Sequence, residues 1–539
     1  MNARLGLIVS LAAIAWTAAT AAPAASAPAP VPVNVLTFHN DNLRSGHNLH
    51  ETFLKPSNVK SKTFGKLFSY PVDGYLYAEP LYVSRPAILG LATHNMIFVA
   101  TEHDSVYAFD ADGLATTPLW QKSFIDPANG ITTVDSLNDV QCNNLVPEIG
   151  ITGTPVISLD NQALYVVSEA KDQNTDTYLV ELHALDLATG AEKFGGPVPI
   201  SATVSGNGAG NDGNGHVSFV PMLANQRPAL LLANGMVYIG FASNCDRGKY
   251  HGWLLAYDAL TLEQTAAFNT TPNGSEGGIW QSGNGPSASQ YGNVFVGIGN
   301  GTFNGNKPNP TDYGESFVKL DPLLRVMDYF APSAQAQLSA GDDDAGITGA
   351  VLLPDQPLGP ANLELMGGIK SGRFYLLNRG SMGRFCKICN DSQAIGYFDT
   401  GFPLFDAPAY ASGLVYIGEV GARLKAWQII NGRMPAAVVA RSPNAFGYPG
   451  TSPAISSDHG LHGIVWALDV SGYATSAPAV LHAYWAFNLT ETYHSTKAPG
   501  ARDTAGPAVK FTVPTVANGK VYVGTQTELD VFGLLPAHP

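Results

Sequence analysis

The chain has 539 residues, 45% of them hydrophobic and only 13% charged, with 57 Gly, 37 Pro and a formal net charge of −14. So acidic a chain repels phosphate instead of releasing its counterions, which sets nucleic acid aside as a partner. Many turn formers and few charges suit antiparallel sheet better than surface helices, and a chain this long exceeds what one core holds, about 250–300 residues.

Residues 1–21 read as a secretory signal. Arg4 precedes an apolar run from Leu5 to Trp16 and the small residues Ala18, Ala19 and Ala21, too short a run for a stable membrane span. The mature protein is therefore expected to be secreted or periplasmic, exported unfolded because one arginine does not make a twin-arginine signal. Residues 22–33 are Ala/Pro-rich and read as a tether, leaving 34–539 as the folded part. Within it, 35–72 carries FHNDNLRSGHN and then FGKLFSYPV, an irregular polar stretch before a strand, expected to close a ring beside the C-terminal end.

One unit then recurs: an apolar run, a turn, a second alternating run. It occupies 96–110, 163–186, 236–258, 293–321, 366–378, 414–428, 464–485 and 513–535. The last copy has Asn518-Gly519 between β-branched runs, the strongest short hairpin signal, because a two-residue turn needs positive φ at both central positions. The position that reads Asp at 110, 186, 258 and 321 becomes Asn378, Gln428, Trp485 and Gly533. Spacings that approach the roughly 40–50 residues of a four-stranded blade predict an all-β, eight-bladed β-propeller with almost no helix. Paired sandwiches also give short strands but explain the repeat less well. Trp120, just beyond the Asp110 strand, is expected to stack between blades, and Trp485 to pack on the next one. The Gly/Asn stretch 201–218 lacks the calcium-loop frame and reads as a surface loop.

The four cysteines are Cys142, Cys245, Cys386 and Cys389. In an exported chain an even count favours disulfides. Cys386-Lys387-Ile388-Cys389 reads as a local bridge, with a redox pair the other option; no second ligand pair suggests zinc, and Asn390 stands where haem attachment needs His. Cys142 and Cys245 are left to pair with each other.

At ALDLATGAEKF, AFDADG…LW, VGIGNGTF and IKSGRFYLLNRG the chain resembles the quinoprotein alcohol dehydrogenase-like superfamily, over about 36–535. Its enzymes hold pyrroloquinoline quinone over a calcium ion, while other relatives are non-catalytic. The resemblance implies Asp172 of VVSEAKD, Asn300 of GIGN and Asp343 of DDDAGITGAVLL as calcium ligands, with Asp343 also the catalytic base. It implies Lys370 of KSGRFYLLNR and Thr152 of TGTP as quinone contacts; the pattern's floor tryptophan belongs after Trp280, where IWQSGNGPSASQYGN is shorter and has no second Trp, so Trp280 or Trp253 is the expected substitute. A hard divalent ion wants such oxygen donors, and an acid and a cation beside a quinone suit proton abstraction and charge stabilisation. The sequence departs from the pattern in having no adjacent cysteine pair to roof the quinone. The expected function is a quinone-dependent dehydrogenase of a small-molecule alcohol or sugar, passing electrons to a separate carrier. The alternative is a propeller scaffold that binds a protein or glycan.

Overall fold

The computed structural model describes residues 33–536 apart from Pro86, Leu91, Ala92, Pro435 and Ala436; the signal peptide and all of the tether but Val33 lie outside the described residues. It is an eight-bladed β-propeller. Blade one shows the plan, with Leu81–Val83, Met96–Ala100, Ser105–Asp110 and Trp120–Ser123 pairing antiparallel in sequence order. The first strands of the other blades are Val156–Ser158, Leu231–Ala233, Ser287–Ala288, Val351–Leu352, Ala409–Ala411, Ala454–Asp458 and Thr515–Ala517. First strands of neighbouring blades touch around the ring, which places them innermost. One α-helix, Gln335–Gly341, occurs among the described residues. No helix there is long and apolar enough to cross a membrane.

The repeats seen in the sequence are the central hairpins of the blades. Met96 faces Asp110, Ala163 faces Asp186, Met236 faces Asp258 and Ile464 faces Trp485. The recurring aspartate has a local job. Oδ1 of Asp110, Asp186, Asp258 and Asp321 accepts the backbone N–H two residues on, from Asp112, Ala188, Leu260 and Leu323, which fixes the turn into the fourth strand. Trp485 cannot do this. It is 43% exposed, its ring tilted against Phe487 of its own blade. Trp120 does lie between blades one and two, its indole N–H donating to the Leu187 carbonyl. Its ring crosses Gly190, where a Cβ would come within 2.6 Å of it and φ is +70°, so only glycine fits.

Each of the eight interfaces between neighbouring blades has its own apolar cluster, from the one joining blades one and two to the one joining blades eight and one. That is how so long a chain buries its apolar residues without a single growing core. Phe64–Pro71 pairs antiparallel with Glu528–Leu534 and becomes the outermost strand of blade eight, closing the ring.

The stretch before it does something the sequence reading missed. Residues 35–48 run around the inside of the channel and bond to the innermost strand of every blade in turn. Val35 exchanges bonds with Tyr82, and the Leu36 carbonyl accepts from Ile157 N. Asn42 donates to Leu232 O and accepts from Ala288 N. Carbonyls of Leu43, Ser45 and Gly46 accept from Leu352, Tyr410 and Ile455, and Asn48 donates to Val516 O. The inner strands would otherwise present unpaired backbone groups to the channel. Arg44 is the centre of this belt: it is fully buried and donates to Pro286 O, Phe38 O, Leu230 O and Thr37 Oγ1 at 2.7–3.0 Å.

Both disulfides form as expected, Cys142–Cys245 with Cα atoms 5.6 Å apart and Cys386–Cys389 at 5.4 Å.

Candidate functional site

Loops leading into the inner strands of blades three, four, five and eight converge on a cleft of about 320 Å³, a size suited to a small ligand. They contribute Arg227, Trp280, Asp344, and the pair Lys510 and Phe511. The residues following second strands add Asn244 and Asp246 of blade three and Lys370 of blade five, and the Cys142–Cys245 bridge borders the cleft through Cys142.

Two buried cations dominate the cleft. Arg227 is 7% and Lys510 5% exposed. The Arg227 guanidinium lies 4.4 Å from the centre of the Phe511 ring, and the Lys510 ammonium 5.3 Å and 5.7 Å from those of Tyr473 and Phe511. Neither forms an ion pair among the described residues, and Arg227 Nη2 is buried with no hydrogen-bond partner. Burial, then repulsion by Arg227, pulls the Lys510 ammonium down to about 8; burial likewise lowers Arg227. Unpaired buried charge is costly, so two such groups in one cleft favour an anionic occupant over an empty cleft.

Opposite charge gathers on the blade-four and blade-five side. Asp344 is buried; its Oδ1 accepts from Asn300 N at 3.0 Å and its Oδ2 lies 3.4 Å from Lys370 Nζ. Burial pushes its carboxyl up to about 6 against the attraction of Lys370. Burial works against the Lys370 ammonium, yet a hydrogen bond to Asp342 Oδ2 at 2.7 Å and the charge of Asp344 hold it above its ordinary value. Gly299 permits this approach, because a Cβ there would lie 2.3 Å from Asp344 Oδ1 and 3.0 Å from the Trp280 ring.

The structure gathers some of the sequence-predicted residues and not others. Lys370 and Trp280 line the cleft, the indole nitrogen of Trp280 being buried without a partner. Asn300 sits just behind Asp344 with its amide oxygen buried and unpaired. Asp343 does not line the cleft; its neighbours Asp342 and Asp344 do, and of the two the turn after the helix buries Asp344. Asp172 is not brought there at all: it ends a ten-residue strand and accepts from Asn174 N and Thr175 Oγ1 in its own hairpin turn. Three residues earlier on that strand, Glu169 is buried and accepts from the backbone of Gln226, next to Arg227. Thr152 Oγ1 donates to the buried Glu102 at 2.8 Å and does not line the cleft. Trp253 is packed between blades two and three. Sequence reading missed Arg227 and Lys510, although each is a lone cation four or five residues before an inner strand, in QRPALLL and VKFTVP.

Buried carboxyls make the fold pH-sensitive. Burial raises Glu102 to about 7, Glu79 and Glu169 to about 8 and Glu315 to about 9. Each binds its proton more tightly folded than unfolded, so its contribution is complete below the ordinary carboxylate range and is lost as pH rises through the folded value. Each costs about 1.4 kcal/mol per pH unit until it ionises. The melting temperature is expected to fall steadily from pH 6.5 to 8, and Glu169→Gln to flatten that slope. A melting temperature that rises over this window contradicts the assignment.

No protein-family model matches the chain, and no curated protein matches its sequence. Solved structures do resemble it. The quinohemoprotein alcohol dehydrogenase of Comamonas testosteroni superposes with a TM-score of 0.60 at 15% identity, covering 93% of this chain and 80% of that one. The quinohemoprotein alcohol dehydrogenase ADHIIG of Pseudomonas putida HK5 gives 0.58 at 14%, covering 94% and 82%. A europium-containing methanol dehydrogenase gives 0.59 at 12%, covering 93% and 98%. With eight blades and a ring closed by an N-terminal strand, the chain shares the propeller fold of these dehydrogenase structures.

Proposed function

We propose that the cleft binds a planar, polyanionic quinone of the pyrroloquinoline quinone type, and that the protein is an exported dehydrogenase of an alcohol or sugar. The observation that carries this reading is the pair of unpaired buried cations, Arg227 and Lys510, set beside Trp280 and Phe511. Carboxylates on an aromatic ring satisfy both features at once. The unpaired amide oxygen of Asn300 and the carboxylate of Asp344 are the hard oxygen donors that fit calcium. They replace the set that included Asp172 and Asp343. When bound, the quinone would supply a two-electron acceptor and the ion a Lewis acid.

In this arrangement Arg227 and Lys510 would hold the carboxylates, and Trp280, Phe405 and Phe511 would keep water from the bound ring. Asp344, raised to about 6, is largely ionised at neutral pH and takes the substrate hydroxyl proton on Oδ2. Lys370, at that oxygen, holds the carboxylate in place and stabilises negative charge developing nearby. The electrons would pass to a separate carrier.

The test adds pyrroloquinoline quinone, with and without calcium, to the purified chain. Saturation at about 100 times Kd is expected to stabilise the fold by about 2.7 kcal/mol and to quench tryptophan fluorescence. Loaded protein is expected to reduce a dye with at least one primary alcohol or aldose, and Asp344→Asn to lose that turnover while still binding quinone. If quinone shifts neither melting nor fluorescence, the dehydrogenase reading falls and a scaffold for a protein or glycan takes its place.

A further inference from the structure

Blade seven carries a second cluster of donors, none of which lines the cleft. His482 lies on its third strand, Val480–Trp485, and Glu491 and His494 on its fourth, Glu491–His494. One donor atom from each of the three lies within 4.8 Å of the others. The sequence alone argues against this gathering, because residues 491 and 494 are an odd number apart and would point to opposite faces of a regular strand. A β-bulge reverses that. His482 pairs with His494 and Ala483 with Tyr493, but Tyr484 pairs with Glu491, so Thr492 is the extra residue. Alternation resets across it, and Glu491 joins both histidines on one face.

That face is backed by blade six. Asn444, on the strand Val438–Phe446, donates to Glu491 Oε1 at 2.6 Å and approaches His482 Nδ1 at 3.2 Å. Glu491 Oε1 is 3.3 Å from His482 Nδ1, and the two imidazole rings stand edge to face with centroids 4.3 Å apart. Thr496 hydrogen-bonds His494 Nδ1 at 3.0 Å, leaving Nε2 as that ring's free nitrogen. Such an outer partner is how a protein orients a ligating histidine. His482 is 3% exposed, whereas Glu491 and His494 are only partly covered, so the group has a rigid side and an open side. The competing occupant is Lys497, whose ammonium pairs with Glu491 Oε2 but whose side chain is 60% exposed and free to swing away.

We propose that His482, Glu491 and His494 form a site for a borderline divalent transition metal of the zinc class, with Lys497 occupying the carboxylate until the ion arrives. Two imidazoles and one carboxylate select such an ion over calcium or magnesium, which prefer all-oxygen donors. Three protein ligands leave a fourth position to water or a bound molecule. The site is independent of the quinone cleft.

The test uses the untagged full chain, stripped with a chelator and titrated with zinc against a chromophoric competitor. Wild type is expected to take up a single equivalent that is absent from His494→Ala and Glu491→Gln, with X-ray absorption reporting two imidazole ligands. Lys497→Met, which removes the competing cation, is expected to bind zinc about tenfold more tightly. Circular dichroism checks that each variant is folded; His494 and Lys497 are both partly solvent-facing, so neither change removes core packing. If His494→Ala takes up as much zinc as wild type, or Lys497→Met leaves the affinity unchanged and absorption shows no imidazole, the cluster is an ion-pair network only and the proposal is overturned.

Discussion

Arg44→Met is expected to lower the unfolding free energy by about 4 kcal/mol or more, a larger loss than any other single change in the channel belt. The guanidinium is fully buried and serves three backbone carbonyls and one hydroxyl that reach it from the belt itself and from blades three and four. Methionine fills much of the volume but leaves those buried acceptors without their donor, each costing about 1–3 kcal/mol. Relief from burying a charge offsets part of this. Arg44→Lys is expected to recover little, because a single ammonium cannot span the fork of four acceptors. Chemical denaturation of the two variants against wild type is the measurement, and wild-type stability in Arg44→Met contradicts the role given to the belt.

The second large effect has opposite signs for stability and binding. Arg227→Met and Lys510→Met are each expected to raise the stability of the ligand-free protein by about 1–4 kcal/mol, as apolar replacements of buried unpaired charge do. Each is also expected to weaken quinone binding on the order of 100-fold, the loss of one charge-assisted hydrogen bond. Lys510, held down to about 8, loses its proton as pH passes that value, so quinone affinity should drop above pH 8 in wild type and lose that step in Lys510→Met. Thermal melts with and without quinone read both quantities from one sample. A variant that is destabilised and binds normally would show that these cations serve the fold and not a ligand.

Most of the architecture was legible from local chemistry. Each blade is closed by turns whose residues are neighbours in sequence, such as Asn518-Gly519, and by an aspartate that bonds backbone two residues ahead, as Asp110 and Asp258 do. Periodicity and turn chemistry act over a few residues, so the number of blades, the scarcity of helix and the strand at 64–71 that closes the ring could all be read along the chain. Both disulfides followed from the small number of possible partners.

The cleft was legible only where a motif carries its own geometry. Lys370 and Trp280 line it, and Asn300 lies behind it, because each follows or precedes a strand at a fixed offset. Asp172 and Asp343 do not line the cleft, since a run such as SEAKD or DDDAG does not say which carboxylate turns inward. That is decided by where the strand leaves the ring and how the chain turns after Gly341. Arg227 and Lys510 lie 283 positions apart in the chain, yet both cover Phe511. Their meaning lies in the lack of a partner, and only the assembled ring determines which charges are left unpaired. The same holds for the belt at 35–48, whose bonds to the blades come mostly from backbone groups and so leave no pattern of residue types in the sequence. It holds too for His482, Glu491 and His494, whose common face depends on a bulge at Thr492 that strand pairing creates and alternation in the sequence argues against.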